Sequence, residues 1–406
     1  MPTTTPTRQP SHGMLLVTLA ALGMVGPFSI DTMFPAFTQM GESLGVGSVA
    51  LQQLISVYML AFGTMSLFHG PISDAVGRKP VIIVGGLLYT AASVGCALSP
   101  NLGLLLVFRA LQGASAGAGQ IISRAMVSDL FPRPVAQRVM SHIAMIFGLA
   151  PALAPVVGGW LLLAGDWTVI FWFLAVFGLL VVGLTVLVLP ESHPAEARSP
   201  LRVGPLFSGL VAVWRDPAGR RLAFAGMTNF AGMFLYISSA PLIVVTHLGG
   251  GEQDFWWLFF PLIGGLVFGS WVAGRLAGRL PGTRIATIGY LVSLGAGSVN
   301  LMLTLIPATQ GLPWAVLVLP VYSFGIALAF PILTLEMLAL FPSRRGAASS
   351  VQSFVQLMSN AVIAGVLAPF VGVSLAGLAA TALAFTGVGW VLWRRHLAVT
   401  HDAAPA

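Results

Sequence analysis

The stretch GPISDAVGRKP occupies residues 70–80. It is short and polar, and long apolar runs lie on both sides of it. Glycine reaches backbone conformations closed to other residues and lets helices approach closely. Gly70, Asp74, Gly77, Arg78 and Lys79 therefore read as a tight turn between two helices that leave and re-enter the same face of a membrane. Asp74 at such a turn can face the positive N-terminal end of another helix.

The composition agrees. Of 406 residues, 57% are hydrophobic and 8% charged, whereas a soluble domain carries about 25% charged residues. A pI near 10.5 would point to nucleic acid in a soluble protein. Here it reads as basic loops that orient a membrane protein, with the lipid bilayer and not nucleic acid as partner. The single cysteine, Cys96, sits in an apolar run, so neither a disulfide framework nor a metal cluster is expected. The N-terminal MPTTTPTRQPSHG is polar and Pro-rich and lacks a charged n-region with a cleavage site. The first apolar run is thus expected to be a retained helix, not a signal peptide.

A spanning helix needs about 20 mostly apolar residues. Twelve runs qualify: 14–38, 47–71, 80–99, 102–127, 136–163, 167–190, 219–246, 254–279, 285–307, 313–340, 346–370 and 373–393. Most connections are very short, which makes successive helices antiparallel neighbours. The exception is 191–218, rich in Pro and charge, which splits the chain into six helices plus six. The expected fold is an all-α membrane protein with two pseudo-repeated six-helix bundles, 14–190 and 219–395. They are flanked by tails 1–13 and 396–406 and joined by the linker 191–218. In that linker Leu206, Phe207, Leu210, Val211 and Trp214 recur at helical spacing, the pattern of an amphipathic helix lying on a membrane surface.

The basic residues set the orientation. With both termini cytoplasmic, the cytoplasmic segments hold Arg8, Arg78, Lys79, Arg124, Arg133, Arg138, Arg198, Arg202, Arg215, Arg220, Arg221, Arg275, Arg279, Arg284, Arg344, Arg345, Arg394 and Arg395. These are all but one of the 19 Lys and Arg residues. The outer loops hold only acids, among them Glu42, Asp166, Glu252 and Asp254. This is the positive-inside pattern, and it supports the count of twelve, since one missed helix would reverse every later loop. A weak internal echo, WVAGRLAGR at 271–279, aligns Gly278 and Arg279 with Gly77 and Arg78. Repeated halves with the substrate site between them are a common transporter plan.

The remaining basic residue, Arg109, lies in the fourth helix, about 12 Å into the membrane when counted from Asn101 at ~1.5 Å per residue. Asp31, in GPFSIDTMFP of the first helix, lies about 25 Å along a core roughly 30 Å thick. Both sit in the outer half at similar depth, and an ionisable residue in a membrane is functional by default with a partner to be named. The expected pair is Asp31 with Arg109. A carboxylate balanced between desolvation and a nearby guanidinium can gain a proton in one conformation and lose it in another. The competing reading is a fixed structural ion pair, or an Asp31 wetted from outside, with Arg109 bonded to helix carbonyls. Glu336, near the cytoplasmic end of the tenth helix, reads either as a contact for cationic substrates or as a snorkelling carboxylate. His69 and His142 read as interfacial.

Polar residues near mid-depth are Tyr58, Gln112, Asn229, Tyr236, Gln356 and Asn360. In membranes such groups act as interhelical hydrogen-bond glue or touch substrate. Met33, Phe34, Phe230 and Phe234 can form an adaptable apolar wall, or can simply pack.

Four stretches resemble the twelve-helix drug/proton antiporters of the major facilitator superfamily, and within these the bicyclomycin-resistance type, the Bcr/CflA family. SIDTMFPAF, 29–37, matches that family's first-helix pattern with Asp31 and Pro35, with Phe34 in place of its usual Tyr. The 70–80 stretch matches the loop between helices 2 and 3. FRALQGASAGAG, 108–119, carries Arg109, Gln112 and Gly113 of the fourth-helix motif. APALAPVVGG, 150–159, resembles the antiporter motif of the fifth helix with Pro151, Pro155, Gly158 and Gly159. The prolines are expected to kink that helix and the glycines to let it pack closely. The resemblance implies a monomeric, proton-coupled exporter of small hydrophobic or cationic compounds in the bacterial inner membrane. It implies a proton gradient as energy source and no cofactor. It also implies that helices 1, 4, 7 and 10 line the cavity, and that Asp74 meets the start of the eleventh helix when the cytoplasmic side is closed. The rivals are a dedicated exporter of one metabolite or siderophore, an importer of the same fold, and a membrane-embedded enzyme. No His-rich, paired-Asp or HExxH motif supports the last.

Overall fold

The computed structural model describes residues 12–198, 203–342 and 344–402. Arg8, Arg202 and the outermost parts of both expected tails lie outside the described residues, as do the side chains of Arg133, Arg138, His142 and Leu206. The helices are α1 (His12–Asp31), α2 (Phe37–Leu44), α3 (Ser48–Val76), α4 (Arg78–Ala97), α5 (Leu102–Leu130), α6 (Arg133–Leu161) and α7 (Thr168–Val188). There follow α8 (Val203–Arg215), α9 (Pro217–Ser238), α10 (Trp256–Leu276), α11 (Gly282–Leu305), α12 (Trp314–Leu317), α13 (Leu319–Leu340), α14 (Arg345–Val362), α15 (Ala368–Val371) and α16 (Leu375–Asp402). Short π-helical segments, Leu242–His247 and Ile363–Leu367, extend α9 and join α14 to α15.

Ten helical segments are long and apolar enough to cross a membrane by length and composition, among the described residues. The long helices α6 and α9 are not among the ten. α6 contributes the shorter apolar stretch Gly148–Leu161, and α9 opens with Arg220 and Arg221. Both are nonetheless packed into the bundle, α6 against α1 and α10, α9 against α13, α14 and α16. In the first half α5 packs on α3, α4 and α1, and α7 on α4 and α1. In the second half α13 packs on α10 and α11, and α16 on α9 and α11. The halves meet where α3 crosses α14 and where α6 meets α10.

Local sequence explains the ends. The Asn101 side chain accepts from the Leu104 N–H at 3.0 Å and caps α5. Asp216 accepts from Ala218 and Gly219 N–H at 2.8 and 2.9 Å, with Pro217 at the first helical position of α9. The first span is broken after Asp31 by the 3-10 turn Phe34–Ala36. Pro35 has no N–H to offer the Asp31 carbonyl one turn back.

The 70–80 stretch differs from the expected loop. α3 continues through Pro71 to Val76, α4 starts at Arg78, and only Gly77 lies between them, at φ 113° and ψ 153°. A conformation open to glycine reverses the chain in one residue. Gly278, the aligned glycine of the echo, also has positive φ, at 79°. The last helix runs past its apolar stretch, through the expected start of the tail at residue 396, to Asp402.

Candidate functional site

Arg109 is fully buried on α5. Its Nε donates to the Leu54 carbonyl at 3.1 Å, and Nη1 donates to the Ser29 carbonyl at 3.0 Å and to Gln112 Oε1 at 2.9 Å. Its guanidinium lies 4.5 Å from the centroid of the Tyr58 ring. Gln112 in turn donates to Ser93 Oγ at 2.7 Å, and the hydroxyls of Ser29 and Tyr89 are 2.6 Å apart. Gly113, the next residue of the motif, lets α5 press onto the backbone of Tyr58, where a Cβ would clash with its carbonyl oxygen. The arginine thus ties α1, α3 and α5 together through backbone and neutral groups.

The expected ion pair is not made. Asp31 is 4% exposed and has no hydrogen bond or ion pair among the described residues. The reason lies in the broken first span. The last four carbonyls of a helix lack intrahelical partners, and basic side chains readily bond them. Arg109 caps this frayed end at Ser29 and leaves the carboxyl two residues on without a cation.

At the end of the bundle away from the 70–80 joint, the two halves are sealed by close backbone contact. A Cβ on Gly159 would lie 2.5 Å from the Glu252 carbonyl oxygen of the other half, and one on Gly158 would run into the Thr32 carbonyl oxygen within the first half. Gln39 Nε2 donates to Glu252 Oε1 at 2.8 Å, and Gln253 donates to the Gly159 carbonyl at 3.3 Å. Phe34 stacks on Phe259 with centroids 6.1 Å apart. Gln53 and Ser56 of α3 donate to the carbonyls of Gly365 and Ala361 at 2.7 and 2.8 Å. Pro151 and Pro155 lie inside α6, which continues through both.

At the opposite end the joint is clamped within the first half. The Glu191 carboxylate accepts from the N–H groups of Arg78 and Lys79 at 3.0 and 3.2 Å, at the positive end of α4. Arg78 pairs with Asp74 at 2.5 Å and with Asp129 at 3.3 Å, and its Nη1 donates to Ser73 Oγ at 2.6 Å. Lys79 Nζ donates to the Val186 carbonyl at 2.8 Å. Asp74 is held by Arg78 one turn on; its contact with the start of the eleventh helix is expected only when the cytoplasmic side is closed. Gly70 has open space where its side chain would be. Glu191, Asp129 and Ser73 were missed from sequence. The Pro-Glu-Ser step that ends the sixth apolar run was the available signal.

The proposed substrate contacts do not form one site. Met33 and Phe34 are buried in the outer seal, and Tyr58 and Gln112 belong to the Arg109 network. Tyr236 accepts from Asn300 Nδ2 at 2.6 Å and packs edge-on to Tyr322. Asn229 is different: it is 1% exposed, and neither its amide oxygen nor its amide nitrogen has a partner among the described residues. On α14, Gln352, Gln356 and Asn360 follow at four-residue spacing on one face. Gln352 touches α9 at Gly226, one turn before Asn229. Phe230 meets Phe330 at 5.9 Å, and Phe234 is buried nearby on α9. Glu336 lies one turn beyond Ile332, which faces Gly282 of α11; that face is turned away from Thr334 and its bond to Gln352 at 3.0 Å. His69 is packed inside the bundle. It is 5% exposed and seated on Gly117 of α5.

The sequence model of the Major Facilitator Superfamily matches residues 19–369. The Bicyclomycin resistance protein homolog of Haemophilus influenzae is 28% identical over 292 residues, 71% of this chain and 73% of that one. Multidrug resistance protein D of Escherichia coli is 28% identical over 363 residues, 87% and 88% of the two chains. Among solved structures, a bacterial homolog of the human lysosomal transporter Spinster, inward-facing and unoccupied, aligns with TM-score 0.72 at 16% identity, covering 96% of this chain and 98% of that chain. The D-xylose-proton symporter aligns with TM-score 0.73 at 14% identity, covering 95% and 97%. With its apolar helices, its motifs and these relatives, the chain is a multi-pass transporter of the bacterial inner membrane and belongs to the Major Facilitator Superfamily, among relatives of the bicyclomycin- and multidrug-resistance type.

Proposed function

We propose that this transporter exports small hydrophobic or cationic compounds in exchange for protons by alternating access. It has twelve spans in two six-helix halves, 14–190 and 219–395, with both termini in the cytoplasm. The observation that carries this reading is Asp31. It is a buried acid without a cation, at the broken end of the first span and beside the Arg109 network. Such an acid can take a proton from the outside in one state and give it up in another. Protonation and cargo release then alternate, the proton gradient supplies the energy, and a monomer suffices.

Every hydrogen bond between the halves among the described residues lies at the outer end, which supports an inward-facing state. Asn229, Phe230 and Gln356 are the cargo contacts this state favours. A buried amide left without partners costs about 1–3 kcal/mol per group, and a cargo group can make good that loss.

The test uses purified protein in proteoliposomes. Asp31→Asn abolishes accumulation driven by a pH gradient and retains exchange of labelled drug for unlabelled drug. Gradient-driven transport that survives Asp31→Asn removes Asp31 from coupling. Loss of both activities in a protein that still binds drug assigns it to the conformational change alone.

A further inference from the structure

The linker helix α8 has two kinds of surface that the transport reading leaves unused. Its inner side is core: Val213 is fully buried with Leu222 of α9. On the other side Phe207, Val211 and Trp214 are 45%, 43% and 42% exposed and follow at i, i+4 and i+7, a single stripe. Phe207 meets Phe68 of α3 at 6.3 Å, and Trp214 meets the exposed Phe224 of α9 at 5.9 Å. The stripe therefore continues onto the half-buried Phe68 of α3 and the exposed Phe224 of α9.

Beside it three helix ends converge. A Cβ on Gly209 would meet Ala347 at 3.4 Å, and one on Gly219 would meet the Phe341 ring at 2.9 Å and the Val213 carbonyl at 2.8 Å. This gathers Arg215, Arg220, Arg344 and Arg345, all exposed. None has an ion pair with a carboxylate among the described residues. Asp216, the acid in their midst, is engaged by the first N–H groups of α9.

We propose that this surface binds anionic phospholipid, with acyl chains against Phe207, Val211 and Trp214 and the headgroup phosphate held by the four arginines. An amphipathic helix with an apolar stripe and flanking arginines lies in the plane of the interface. Guanidinium groups suit phosphate through paired N–H bonds. Basic residues next to a membrane draw anionic lipid. The site pins the linker and the starts of α9 and α14 to one leaflet whatever cargo is carried.

The full-length protein, purified in mild detergent, is offered phosphatidylglycerol or phosphatidylcholine, and retained lipid is read by native mass spectrometry. The wild type retains phosphatidylglycerol over phosphatidylcholine. R215Q/R220Q/R344Q/R345Q lowers that retention by about tenfold or more, and the four-lysine counterpart keeps most of it. R275Q/R279Q/R284Q, at other basic positions, leaves it unchanged. No preference in the wild type overturns the proposal without recourse to any variant. Equal loss in the two glutamine variants also overturns it, since basic charge in general would then hold the lipid. If the four-glutamine protein does not fold, the wild-type preference and R275Q/R279Q/R284Q still decide.

Discussion

Arg109 is held by directed bonds to three acceptors on three helices, and a lysine ammonium cannot reproduce that planar fork. Arg109→Lys should lower stability by about 2–4 kcal/mol, since hydrogen bonds to buried charged groups contribute about 1.5–3 kcal/mol each. Thermal unfolding in detergent reads this, and gradient-driven transport should be lost with it. Tyr58 supports the same guanidinium with its ring, while its hydroxyl is buried without a hydrogen-bond partner. Tyr58→Phe should therefore leave stability within about 0.5 kcal/mol, and Tyr58→Leu should lower it by about 1–2 kcal/mol through loss of the cation–π contact. If the hydroxyl rather than the ring mattered, the phenylalanine variant would be the damaged one. A charge in an apolar run made Arg109 and Asp31 legible from sequence, but not the acceptors of Arg109 or the lack of a cation at Asp31. Backbone carbonyls carry no signature in the side-chain pattern. The pairing of the two charges followed from depth alone and missed the frayed helix end that lies between them.

Two elements set how the ends of the bundle close. The outer end of α6 rests on backbone at Gly158 and Gly159, so a single methyl group there has nowhere to go. Gly159→Ala, which sets a methyl group against the Glu252 carbonyl of the other half, should hold the outer end apart. A cysteine placed at Gln39 in a Cys96→Ser background should then react faster with an impermeant maleimide than in the parent. Labelling at the parental rate would show that the backbone at Glu252 yields instead. At the other end, Glu191→Gln keeps the size of the side chain and removes its charge from the start of α4. The joint should weaken by about 1–2 kcal/mol, seen as faster amide exchange at Arg78 and Lys79 with little change elsewhere. The glycines of α6 could be picked out because small residues in a spanning helix signal close packing. Glu191 was signalled only by the Pro-Glu-Ser step, and its partners were not, because it is remote in sequence from the N–H groups it serves.

For the whole molecule, the helical plan followed from hydropathy and charge because a bilayer admits few alternatives for the backbone. The break in the first span and the length of α16 did not, since hydropathy averages across a 3-10 turn and α16 continues past its apolar run. The halves touch through α3 with α14 and α6 with α10, so cross-linking at one end should arrest the cycle. Gln39→Cys with Glu252→Cys, joined by a short bifunctional maleimide in a Cys96→Ser background, should stop transport in proteoliposomes. Either single cysteine, treated alike, should remain active. Transport that persisted in the linked protein would mean that this seal does not open during the cycle.

The one-residue joint at Gly77 has a further consequence, for chain length. An α-helix turns by about 100° per residue, and α3 and α4 are separated by a single position. One residue inserted after Gly77 would rotate the whole of α4 by that angle relative to α3, or strip Glu191 from its N–H groups. The face that places Tyr89 by Ser29 and Gly85 by Ala118 would turn to lipid. The same insertion after Gly311, where a side chain would meet open space, changes no helix phase within either neighbour. At Gly77 the spacing of the code is thus more constrained than its spelling: alanine there strains one residue, whereas an added codon misaligns a helix.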